Sequence, residues 1–137
     1  MHVSAQVSDK QLIETARRAR ERAYARYSNY SVGCALLDEH GGIHIGCNVE
    51  NETYPEGTCA EAGAIAAMVV SGARRIETIA VAGGYDDLAT CTPCGGCRQK
   101  IAEFADDATR ILLIDDSGNW GEHRIGDLLP MSFHLPR

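Results

Sequence analysis

The chain has 137 residues, 45% hydrophobic and 23% charged, with a formal net charge of −6. That length sustains a core without disulfide staples, and no apolar run approaches the roughly 20 residues needed to span a bilayer. The acidic balance argues against a nucleic-acid surface, which normally shows itself as a basic face.

Met1-His2-Val3-Ser4-Ala5-Gln6 lacks the basic-then-apolar pattern of a leader, so a cytoplasmic protein is expected. In such a chain six cysteines point to reduced thiols, and to metal binding or chemistry before bridges. Arg17, Arg18, Arg20, Arg22 and Arg26 spread around a helix and read as a solvated face.

Ser8-Asp9-Lys10-Gln11 has the form of a capping box. Leu12, Ile13, Ala16, Ala19, Ala23 and Tyr24 then recur at helical spacing, predicting a helix to about Arg26 that Tyr27–Ser31 breaks. Val32–Leu37 and a run from Ile43 to Asn48, separated by the turn-forming Asp38–Gly42, read as a hairpin. Asn48–Gly57 is a polar loop. Thr58 can cap a helix from Cys59 to about Ser71, with Gly72 as its stop.

Glu77–Ala82 is a short strand candidate, and a loop follows through Thr92. Pro93 suits a helix entry, with Cys97, Ile101 and Phe104 as the buried stripe. Ile111–Ile114 is a continuous apolar run, the mark of a strand covered on both faces. After a turn over Asp115–Gly121, a weak strand around His123–Ile125 and a short Leu128-Leu129 segment end the chain. Helices placed between later parallel strands should cover both faces of one mixed sheet, a layered α/β domain spanning residues 1–137.

Cys94 and Cys97 are three apart, so one helical turn can aim both sulfurs at one point, and a helix N-terminus favours the thiolate that binds metal. Cys59, expected in the first turn of its own helix, has the same advantage. Two parallel strands delivering these helix starts to one sheet edge would gather the three sulfurs. Other uses stay open for the same residues. The pair could be a redox dithiol, or Cys91, Cys47 or Cys34 could close a four-thiol structural site. Thr58-Cys59-Ala60-Glu61 could equally be a capping box that employs Glu61 only on backbone.

Cys59-Ala60-Glu61 with Pro93-Cys94-Gly95-Gly96-Cys97 resembles the signature of zinc nucleobase deaminases. The likeness extends over Tyr27–Leu37, Gly46–Asn51, Pro93–Gln99 and Leu128–Phe133, in the order and spacing of the small homotetrameric cytidine deaminases. It implies a three-layer α/β/α fold with a mixed central sheet. It also implies one zinc ion per chain on Cys59, Cys94 and Cys97, with Glu61 as the acid/base.

By the same resemblance Asn48 and Glu50 hold the ribose, Tyr30 lines the pocket, and Tyr54 and Phe133 lie where subunits meet. Phe133 would reach a neighbour's site in a homotetramer. Free cytidine or deoxycytidine is the expected substrate, with a modified cytosine nucleoside such as blasticidin S as the alternative within the class. A non-catalytic structural zinc or redox protein is the alternative from another class. Two departures stand out: Ala62 occupies a position where the family commonly has Arg, so relief of the thiolate charge falls to backbone N–H groups or to a residue such as Arg98. Tyr30 adds a hydroxyl where Phe is usual.

Overall fold

The computed structural model describes residues 6–136. Met1–Ala5, which carry most of the leader expectation, lie outside the described residues, as does Arg137. Helix α1 spans Asp9–Arg20 and opens with the expected box: Ser8 Oγ accepts from Gln11 N at 3.1 Å, and Ser8 N donates to Gln11 Oε1 at 2.8 Å. Strands β1 (Ser31–Asp38) and β2 (Ile43–Cys47) form the hairpin. Asp38 builds its turn, because Oδ1 accepts from the N–H groups of His40 and Gly42 at 2.7 and 2.9 Å.

Helix α2 (Ala60–Val70), strand β3 (Ile76–Gly84), helix α3 (Gly95–Phe104) and strand β4 (Arg110–Ile114) follow. Strand β5 (Trp120–His123) and the single turn α4 (Ile125–Leu128) complete the order. The five strands lie as β2-β1-β3-β4-β5, with β3 and β4 parallel and the other pairs antiparallel.

Alternation along the strands divides the core in two. Cys34, Leu36, Ile79, Val81, Ile111 and Leu113 pack against α2 and α3, with Met68, Ile65 and Ile101 as the helix partners. Ala35, Ala80, Ala82, Leu112 and Ile114 face α1, meeting Leu12, Ile13 and Ala16. The small residues on the α1 side let that helix sit close: a Cβ at Gly33 would run into the backbone of Ala16 and Arg20. Helices thus cover both faces of a mixed sheet, as expected.

Four details differ from the sequence expectation. Helix α1 ends at Arg20, short of Arg26, because Tyr24 leaves it to bond Asn48 O and Glu50 N, at 2.9 and 2.8 Å. Helical spacing at Ala23 and Tyr24 cannot register that distant partner. Strand β3 runs longer than Glu77–Ala82. Strand β5 begins at Trp120, because Asp115 N bonds Asn119 O at 2.8 Å and closes the turn two residues early, leaving Ile125 to start a helical turn. Finally, the strands that feed α2 and α3 are β2 and β3. They point the same way but are not neighbours, since β1 runs antiparallel to both.

Candidate active site

Both helix starts lie at the sheet edge where β2 and β3 end. Cys59 is the N-cap of α2 and Cys94 the N-cap of α3, each with extended backbone. Cys97 follows one turn into α3 and is buried. The three sulfurs lie within 4.8 Å of one another, a grouping among the described residues that could hold a metal ion. Cys34 belongs to the core and the Cys91 sulfur packs over Gly83, so neither closes a fourth thiol corner, and all six cysteines are free.

Glu61 sits in the first turn of α2 with 3% of its surface exposed. The capping-box alternative is absent. The Thr58 N–H donates to Val49 O at 2.9 Å, and Cys59 rather than Thr58 begins the helix. Burial pushes the Glu61 carboxyl above its ordinary value, opposed in part by its own N–H, the Cys97 thiol and the Lys100 charge. A carboxyl so raised holds a proton more readily than an exposed glutamate, which suits general acid/base work.

The donor set fits zinc. Burial first, then the Glu61 charge and the adjoining thiols, pushes Cys97 upward, and burial does the same to Cys59. Cys94 falls, burial being outweighed by the Cys97 N–H, which donates to its sulfur at 3.4 Å, and by the other two thiols. Three crowded thiols beside a carboxylate ionise together only around a cation, and zinc accepts sulfur ligands with a fourth position open. Ala62 supplies no donor. The expected substitute, Arg98, is committed elsewhere: Nε donates to Pro93 O and Nη1 to Leu128 O, both at 2.8 Å. Backbone N–H donation at Cys94 is the relief the structure shows.

A cavity of about 350 Å³ opens on this cluster, lined by Glu61, the three cysteines, Tyr30, Asn48 and neighbours from Thr90 to Thr92. Asn48 is already half-committed, since its Nδ2 donates to Tyr30 O at 2.9 Å and its Oδ1 accepts from Val32 N at 2.8 Å. One hydrogen and one lone pair stay free for a ligand. Burial, then the Cys91 thiol, raises the Tyr30 phenol to about 12, so it is a neutral hydroxyl.

Glu50 and Phe133 do not line the cavity within this chain. Glu50 Oε1 accepts from the N–H groups of Tyr27 and Ser28 at 2.9 and 3.0 Å, and its Oε2 accepts from the Ser28 hydroxyl. Those bonds, the Ser28 hydroxyl first, hold its carboxyl below the ordinary value. Phe133 is 68% exposed.

Sequence reasoning missed the pocket roles of Val32, Thr90 and Thr92, and the charge of Lys100. Lys100 lies one turn beyond Cys97, and that spacing was the available signal. A larger groove of about 600 Å³ sits where β1 ends and β3 and β4 begin, far from the sulfurs. Its guanidinium groups are engaged in the Arg75–Glu77 and Arg110–Asp9 pairs.

The family model for the cytidine and deoxycytidylate deaminase zinc-binding region matches residues 6–113, a stretch containing Glu61 and all three sulfurs. The chain belongs to that zinc-binding deaminase family. Within it, the chain is 40% identical to the cytidine deaminase of Sporosarcina psychrophila, over 90% of each chain. The crystal structure of cytidine deaminase from Burkholderia pseudomallei superposes with a TM-score of 0.85 at 39% identity, covering 93% of this chain and 100% of that one. The Mycobacterium tuberculosis cytidine deaminase superposes with a TM-score of 0.80 at 35% identity, covering 95% and 100%.

Proposed function

We propose that the chain is a zinc-dependent enzyme that hydrolytically deaminates free cytidine or deoxycytidine, consuming water and releasing uridine or deoxyuridine and ammonia. The observation that carries this reading is the buried Glu61 carboxyl beside three sulfurs that lie within 4.8 Å of each other, at one cavity. Cys59, Cys94 and Cys97 hold the ion. When bound, zinc supplies Lewis acidity and an activated water at neutral pH.

Glu61 takes one proton from the attacking water and passes it to ring N3 of the pyrimidine, then takes the proton of the hydroxyl added at C4 and delivers it to the departing amine. General acid/base assistance of this kind contributes roughly 10²- to 10⁴-fold. Asn48 offers its free hydrogen and lone pair to the ribose, Tyr30 forms a wall for the base, and Glu50 reaches the sugar with the lone pair its loop contacts leave. These residues act by holding the nucleoside in register, where small displacements are expensive.

Residues 1–137 form one catalytic domain in this reading, supported by the length of the family match. Four copies assemble so that each Phe133 completes a neighbour's pocket. The exposure of Phe133 and Tyr54, at 68% and 77%, supports that assembly. The free thiols suit a reducing compartment, and the cytoplasm is the proposed location. No described helix is long and apolar enough to cross a membrane.

Glu61→Gln tests the proposal. It should keep zinc and fold while turnover of cytidine falls at least ~10²-fold; unchanged turnover removes Glu61 from the chemistry. Running deoxycytidine and blasticidin S beside cytidine fixes the substrate.

A further inference from the structure

The Tyr30 ring forms part of the cavity, and what steadies it lies outside. The Tyr85 ring stands edge-on to it, with centroids 5.0 Å apart and planes at 86°. Tyr85 belongs to an exposed loop that leaves β3 at Gly84 and rejoins it where Ala89 N donates to Gly83 O at 2.8 Å. Gly84 has φ 156°, and a Cβ there would run into Asp87 O, so the loop has a tight entry.

One guanidinium grips this loop. Nη2 of Arg20 donates to the carbonyls of Tyr85, Asp87 and Asp86 at 2.6, 3.3 and 3.4 Å. Its Nε donates to Ser31 O at 3.2 Å, on the residue that follows Tyr30. Arg20 is the last residue of α1, a helix fixed to the opposite face of the sheet, and it does not line the cavity. The same side chain therefore anchors the backbone beside Tyr30 and the loop that carries the ring packed on Tyr30.

We infer that Arg20 is a positioning residue for the substrate pocket, acting through Ser31 and the Tyr85–Asp87 loop to hold the Tyr30 ring against the bound base. The inference rests on the deaminase reading for its consequence. Its geometry calls for a planar fork whose Nε and Nη2 diverge to two segments, which a lysine ammonium cannot reproduce.

The test compares zinc-loaded wild type with Arg20→Ala, Arg20→Lys, Tyr85→Ala and the double Ala variant, measuring cytidine kinetics, zinc per chain and Tm. Arg20→Ala should raise KM about tenfold with little change in kcat or zinc content, since only substrate placement is disturbed. Lysine should fail to restore KM. Tyr85→Ala should share the defect, and the double variant should be no worse than the poorer single, the mark of one shared route.

A KM near the wild-type value in Arg20→Ala, restoration by lysine, or additive losses would overturn the inference. If Arg20→Ala does not fold, Tyr85→Ala decides, its side chain being largely solvent-exposed; an unchanged KM there overturns it too. NMR of ring-labelled tyrosine gives a readout independent of turnover. Shifted or broadened Tyr30 signals in the variants support positioning even if the wild type proves inactive on cytidine, an outcome that would sink the deaminase reading alone. Unmoved signals count against Arg20.

Discussion

Gly46 of β2 and Gly63 of α2 lie face to face: a Cβ at Gly63 would come within 3.6 Å of the Gly46 Cα, and a Cβ at Gly46 would meet Ala64 N at 2.6 Å. The absent side chain at Gly46 thus lets α2 rest on the sheet backbone, which sets the height at which Cys59 and Glu61 enter the cavity. Gly46→Val should lift the start of that helix. Overpacking costs about 1–3 kcal/mol, so the expected result is a lower Tm accompanied by reduced zinc content. Full metal loading in a destabilised variant would show that the helix can shift without moving its ligand.

Metal stoichiometry separates the thiols. Cys97→Ala should weaken zinc binding by more than the ~10- to 100-fold typical of losing an outer-shell partner, because Cys97 is the buried member of the group. Cys91→Ala should leave one zinc per chain. Metal analysis after dialysis against a graded chelator series distinguishes the two, and equal losses would make Cys91 a ligand.

Asn48 links the pocket rim to β1 through two hydrogen bonds, to Tyr30 O and from Val32 N. At about 1 kcal/mol each, Asn48→Ala should lose roughly 1–3 kcal/mol of stability and also lower kcat/KM. Asn48→Asp keeps the acceptor for Val32 but sets a charge against the Tyr30 carbonyl, so it should not rescue activity. Denaturant midpoints and kinetics on both variants provide the check.

Acid stability should report on Asp38, 3% exposed and 2.7 Å from His44 Nε2. Burial pushes its carboxyl up, yet the His44 ring and the N–H groups of Gly42 and His40 together win, and the net shift is downward from 3.8. A depressed carboxyl contributes stability that is complete above its unfolded value and fades as pH falls through the lower folded value. Asp38→Asn should therefore cost stability at neutral pH and flatten the decline below about pH 4. Removing the ring with His44→Ala brings the folded value back toward the unfolded one, so it too should weaken that decline. Melting temperatures across the acid range measure both, and parallel curves for all three proteins would exclude Asp38 from the acid transition.

Much of this was legible because it is local. The Ser8–Gln11 box, the hairpin turn on Asp38 and the one-turn spacing of Cys94 and Cys97 are each carried by a few adjacent residues. The extension of the first helix to Arg26 failed because Tyr24 pairs with Asn48 and Glu50, partners that periodicity cannot register. The helix start at Cys59 was misplaced by one residue, because Thr58 is held by Val49 across the loop. The Arg20 clamp was read only as part of a charged helix face, since its acceptors are backbone carbonyls some 65 residues away that leave no trace in side-chain type.

Because β1 intervenes between the two strands that end at the cluster, the metal centre is built on hydrogen-bond ladders and not on a continuous loop. A slip of one residue along either ladder would displace one strand end by about 3.3 Å, comparable to the spacing of the sulfurs themselves. Ion retention is therefore a gauge of sheet alignment. Loosening the ladder between Gly33 and Ala82 should release the ion before the helices melt, so metal loss would be the earliest signal of unfolding.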